Sequence, residues 1–171
     1  MQIASLLAGL SAVALYLLCF QLKSAKQIIA CKLVSSILYV VQYLLLFAFV
    51  GAAMDAAAFI TSYLAYKKDT RVIKKLKIPI IIVSNILIAA VGLSLYENIF
   101  SLFPIVGVLL HTSAFWIKNE RIIRIVSLLG SPFWFVYNLT SLAYGSAIGD
   151  ILTMVSIIIA MIRYRKQVYE K

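Results

Sequence analysis

Acidic side chains are nearly missing from this sequence: six Asp and Glu stand against sixteen Lys and Arg, and charged residues of both signs make up only 13% of the chain. Scattered acids cannot form the cluster of ionisable groups at one depth that catalysis inside a membrane needs, so no enzyme is expected. A single histidine, His111, cannot make a metal site. Cys19 and Cys31 lack metal-ligand spacing and read as free, reduced thiols. Phosphate-cradling glycine loops, HExxH, paired CxxC and a usable Ser-His-Asp set are all missing, so neither cofactor nor metal is expected. What abounds is apolar chain: 64% hydrophobic residues with a mean hydropathy of +1.02. A core of 171 residues cannot hide that much apolar surface, so lipid must be the solvent.

The cations are gathered, not spread. They fall into four clusters: Lys23, Lys26 and Lys32; Lys67, Lys68, Arg71, Lys74, Lys75 and Lys77; Lys118, Arg121 and Arg124; and Arg163, Arg165, Lys166 and Lys171. Apolar chain long enough for two crossings separates successive clusters, and the midpoints near Gly51, Glu97 and Gly145 carry no cation. Cations in short loops stay cytoplasmic. The net charge of +10 therefore reads as orientation and attraction to anionic lipid headgroups, not as nucleic-acid binding. Met1-Gln2-Ile3 runs straight into the first apolar stretch and Lys23 follows it, the reverse of a secretory signal, so that stretch is expected to remain as a helix.

These constraints predict an all-α integral membrane protein with seven transmembrane helices, the N-terminus outside and the C-terminus cytoplasmic. The expected spans are 3–22, 28–48, 51–66, 78–94, 99–117, 122–142 and 146–164. A shift of 95 positions lays Lys26 on Arg121, Ser36 on Ser131, Tyr39 on Trp134, Tyr43 on Asn138 and Asp55 on Asp150. The layout is then 3+1+3. Residues 1–66 form a first three-helix bundle, 67–77 a basic cytoplasmic loop, 78–94 a linker helix, 95–164 a second bundle parallel to the first, and 165–171 a tail. Transporters built from such parallel repeats place substrate near the bilayer midplane.

Polar groups at membrane depth need a reason to be there. Trp134 and Asn138 share a face of the sixth span with Tyr137 nearby, and Tyr39, Gln42 and Tyr43 form the corresponding face of the second. Across one cleft these six would suit a small neutral polar solute; as structure alone they would be helix–helix hydrogen bonds and an aromatic seam. Asp55 and Asp150 read either as helix N-terminal charges stabilised by the dipole or as proton or cation acceptors at an outer gate. His111 reads as a hydrogen bond to a neighbouring helix or as a proton relay. Pro104 and Pro132 are candidate hinges. Lipids are the expected surroundings, and oligomeric state is not legible.

The stretch from Pro132-Phe-Trp-Phe-Val-Tyr-Asn-Leu to Tyr144-Gly-Ser-Ala-Ile-Gly-Asp150, ending in Ile162-Arg-Tyr-Arg, resembles the C-terminal half of the bacterial inner-membrane YgjV family. That resemblance implies a bacterial inner-membrane location and no particular activity. More distantly, the 3+1+3 plan is similar to SWEET, PQ-loop and KDEL-receptor proteins. SWEET-like rocking would use prolines in the first two helices of each triplet; here Pro104 and Pro132 supply one half of that set, while Gly9 and Ile37 stand at the matching positions of the other. The function expected is movement of a small polar solute between the bundles, or, alternatively, a non-transporting receptor or scaffold on the same plan.

Overall fold

The computed structural model describes residues 2–165, and every regular element among them is helical. In chain order these are α1 (Gln2–Gln21), α2 (Ala25–Leu45), α3 (Phe49–Tyr66), α4 (Arg71–Lys75), α5 (Lys77–Ser94), a 3-10 turn (Ile99–Ser101), α6 (Leu102–Phe115), α7 (Glu120–Thr140) and α8 (Tyr144–Arg165). Most of the expected C-terminal tail lies outside the described residues. Six helices, α1, α2, α3, α5, α7 and α8, are long and apolar enough to cross a membrane. The segment expected as the fifth span is shorter, because α6 itself has 14 residues. Asn98 delays its start: the Asn98 side chain accepts from the Phe100 N–H, and Ser101 Oγ accepts in return from Asn98 N–H. This reciprocal cap holds 98–101 in a tight turn before α6 begins.

Local capping sets the other boundaries. Ser24 accepts from Gln27 N–H and starts α2 three residues earlier than the expected 28. Asn119 accepts from Arg121 and Ile122 N–H and starts α7 at Glu120. At the far ends of α2 and α7 the chain turns through residues in left-handed backbone, Phe47 (φ 57°) and Leu142 (φ 58°). In one turn Ala48 N–H donates to Tyr43 O and Phe47 N–H to Leu44 O; in the other Ala143 N–H donates to Asn138 O and Leu142 N–H to Leu139 O. Both are Schellman motifs, built without glycine. Phe47 and Leu142 are 95 positions apart, the shift that relates the two halves of the sequence.

Six helices close into a ring: α2 packs between α1 and α3, α7 between α6 and α8, α1 against α8 and α3 against α6. Side chains crossing these seams show which ends meet. Arg163 and Tyr164, ending α8, bond Gln21 at the end of α1. Lys68, just past α3, donates to Phe115 O and Ile117 O at the end of α6 (both 2.7 Å). Gly149 meets Val13 where α8 crosses α1, and a Cβ on Gly107 would lie 2.7 Å from Trp134 Cδ1 where α6 crosses α7. Glycine is required at both crossings for that approach. Outside the ring, α5 lies on α6 and α3 and buries only Ile88 and Gly92.

The ring is inverted relative to a water-soluble bundle. Leu, Ile and Val crowd its outer surface, whereas Lys32, Ser35, Ser36, Gln42, Asp55, His111, Arg124, Ser131, Asn138 and Asp150 are buried. Two cations of the expected cytoplasmic clusters, Lys32 and Arg124, are therefore among the buried residues. Lys32 lies two turns into α2 and turns inward, because Asp55 awaits it across the α2–α3 seam. Arg124 closes the end of α1, its Nε and Nη2 donating to Phe20 O (3.2 Å) and Leu22 O (2.8 Å). Those carbonyls end a helix and have no partner of their own within it.

Candidate functional site

Between α2, α7 and the helices flanking them lies a small cavity lined by Tyr16, Lys32, Tyr39, Tyr43, Asp55, His111, Trp134, Asn138 and Asp150. Its room for water centres, about 20 Å³, is enough for one water molecule. Eight of the nine lining residues pair off at a separation of 95: Tyr16 with His111, Tyr39 with Trp134, Tyr43 with Asn138, and Asp55 with Asp150. Lys32 is the exception. The residue 95 positions on is Ser127, whose buried hydroxyl makes no hydrogen bond.

Polar contacts in the cavity form two chains. On one side Lys32 Nζ meets Asp55 Oδ1 at 3.4 Å and sits over the rings of Tyr16 and Tyr39, 4.5 and 5.2 Å from their centroids. Aromatic faces attract an ammonium most strongly where water is excluded. On the other side the Tyr43 hydroxyl donates to Asn138 Oδ1 (2.6 Å), and Asn138 Nδ2 donates to Asp150 Oδ2 (2.7 Å). Tyr43 thereby ties α2 to α8 through the amide of α7. Its ring stacks between those of Tyr39 and Trp134, at 6.4 and 6.1 Å between centroids. His111 Nε2 lies 3.0 Å from Ser127 O; a carbonyl only accepts, so that nitrogen carries the proton.

Tyr39, Tyr43, Trp134 and Asn138, four of the six expected solute contacts, line this cavity. Gln42 and Tyr137 do not. Gln42 accepts from Ser146 Oγ (2.6 Å) and lines a second, larger cavity of about 400 Å³ with Ser5, Leu6, Leu46, Leu142 and Tyr144. Tyr137 turns toward α3, its hydroxyl accepting the Gly51 N–H at 2.9 Å, a donor that the first turn of α3 leaves unpaired. Neighbours along a helix point roughly 100° apart, so Gln42 cannot share Tyr43's direction, nor Tyr137 that of Asn138.

Asp55 and Asp150 are not helix caps. Each stands six positions past the first residue of its helix, α3 or α8, about 9 Å along the axis, where the dipole's influence has faded. Both line the small cavity, where His111 joins them. Pro104 falls in the first turn of α6, where no N–H is called for, so it breaks no helical bond. Pro132 is inside α7 and leaves the Leu128 carbonyl without its helical donor. Among the described residues no group of three or more His, Cys, Asp or Glu could hold a metal ion.

Lys32, like Tyr16, lines this site and was missed by sequence reasoning. The signal for Lys32 was its place inside an apolar run, six positions past Lys26, in a helix whose counterpart carries serine.

None of the curated proteins compared matches the chain, and none of the solved structures does. The family model described as a bacterial inner membrane protein, Imp-YgjV, matches residues 3–168. Matched over nearly its whole length, and carrying six helices long and apolar enough to cross a membrane, the chain belongs to the Imp-YgjV family of bacterial inner membrane proteins.

Proposed function

We propose that this protein moves a small polar solute across the inner membrane, by rocking two three-helix units, α1–α3 and α6–α8, about the cavity between them. In this reading α6 with its preceding turn is a seventh crossing and α5 the linker, giving the 3+1+3 plan. Three observations support the path of α6. Its start lies beside Phe49, Val50 and Thr140 around one pocket, its end is held by Lys68, and it runs alongside α3. Exposed Lys23, Lys26, Lys67, Lys118 and Arg121 gather at the Lys68 end, which supports a cytoplasmic C-terminus and an external N-terminus.

The observation that carries the transport reading is the convergence of ionisable, aromatic and amide side chains, five from the first unit and four from the second, on one cavity within the membrane. Such groups are costly in lipid and mark solute or ion pathways. The cavity is small, and Gln42, which bonds Ser146 and packs against Gly9, lines the larger one instead. A solute larger than water would enter when α2 and α8 part there. Purified protein in liposomes tests this: loss of solute flux in Asn138→Ala and Trp134→Ala supports the site, and unchanged flux with both variants folded removes it.

The non-transporting reading, a receptor or scaffold, draws on one feature. The basic loop around α4 is largely exposed, with Arg71, Lys74 and Lys75 free to meet an anionic lipid or partner. Neutralising those three charges would abolish a partner interaction under that reading and leave flux intact under the first.

A further inference from the structure

We propose that the cavity binds one exchangeable monovalent cation, proton or alkali ion, at Asp150, and that Lys32 is a built-in cation already serving the equivalent place at Asp55. Charge and geometry carry the inference. Two carboxylates face the cavity and one ammonium answers them, through the Lys32–Asp55 contact of 3.4 Å. Among the described residues Asp150 makes no ion pair; its partner is the neutral amide of Asn138. An anion buried in lipid without a counter-charge is strongly disfavoured, so the folded protein needs one more positive charge here.

Broken symmetry points to the same place. Asp55 and Asp150, Tyr43 and Asn138, Tyr39 and Trp134, and Tyr16 and His111 are matched, while Lys32 is matched by Ser127, too short to reach a carboxylate on the next helix. The first half thus carries its cation covalently and the second half carries none. An oxygen donor stands ready: the Tyr16 hydroxyl, on a residue 4% exposed, lines the cavity and makes no hydrogen bond. Space for one water-sized particle suits a hydrated proton or a bare alkali ion and excludes an organic cation. The charged and titratable groups facing Asp150 are Lys32, Asp55, His111 and the phenols of Tyr16, Tyr39 and Tyr43.

The inference deepens the transport reading by naming its coupling charge, but its test is equilibrium binding, so failure of flux and failure of binding are separate results. Melting of the detergent-purified full chain would be followed in two series at constant ionic strength. One replaces choline by Na+ or K+ at pH 8; the other holds choline and lowers the pH from 8 to 5.5. Wild type should gain a saturable rise in melting temperature in at least one series, an alkali response naming the metal ion and a pH response alone naming the proton. Asp150→Asn should abolish the response. So should Asp55→Asn, which frees Lys32 to serve Asp150, while Lys32→Gln should enlarge it. A wild type flat in both series, or an unchanged response in whichever of these variants folds, overturns the proposal.

Discussion

Tyr43 donates to Asn138 across 2.6 Å, and the two residues are 95 positions apart, so the bond joins equivalent points of the two halves of the chain. They are also the residues whose carbonyls receive the last turn of α2 and of α7, from Ala48 and Ala143. The seam between the halves is therefore fastened where both helices end.

Removing the Tyr43 hydroxyl should be mild and removing the amide should not. Tyr43→Phe leaves one Asn138 oxygen unpaired, at a cost of about 0.6 kcal/mol and no more than about 2. Asn138→Leu breaks both bonds and strips Asp150 of its donor, costing about 3 kcal/mol. Denaturation of the two variants in the same detergent compares them directly, and equal losses would contradict the chain of bonds described.

Lys32→Met should be among the most damaging single changes, at about 3–5 kcal/mol, because it leaves buried carboxylates without their ammonium. The double variant Lys32→Met/Asp55→Leu should recover most of that loss. A double-mutant cycle with no coupling between the two positions would show that the contact does not matter to stability.

Gly107 and Gly145 separate a required glycine from a permissive one. A Cβ at 107 would lie 2.7 Å from the Trp134 ring, which is itself packed on Tyr43, so Gly107→Ala should cost about 1–3 kcal/mol. A Cβ at 145 would meet only the end of Leu6 at 3.3 Å, and Gly145→Ala should stay within about 0.5 kcal/mol of wild type. Melting temperatures of the two variants decide this.

Some changes should stabilise the protein. Phe47 and Leu142 hold left-handed backbone with their side chains 65% and 64% exposed, so little packing is lost by replacing them. Asparagine tolerates that conformation better than leucine or phenylalanine. Leu142→Asn should therefore raise stability by about 0.5–1 kcal/mol, and Phe47→Asn similarly, visible as higher melting temperatures.

Much of this arrangement was legible in the residues. Apolar run length gives the helices, and the matches Tyr39 with Trp134, Tyr43 with Asn138 and Asp55 with Asp150 name most of the residues that meet in the cavity. The depth of the aspartates was not legible, because α3 and α8 start two residues before the expected 51 and 146, and two residues move a side chain about 3 Å inward. Nor were the roles of Lys32 and Arg124. Loop cations and buried cations look alike in composition; what distinguishes them is a partner on another helix, Asp55 for one and the end of α1 for the other. Gln42 and Tyr137 were assigned by proximity in sequence to the right residues, and helical rotation carries each of them away.

The pairing of Lys32 with Asp55 also orders biosynthesis. An ammonium two turns into a lone hydrophobic segment raises the cost of passing from translocon to lipid, by up to about 2.5–3.5 kcal/mol, the figure for a segment's centre. Its neutralising carboxylate lies 23 residues downstream, on the next helix to emerge. Helices α2 and α3 must then enter the bilayer together as a hairpin, with the ribosome still holding the rest of the chain.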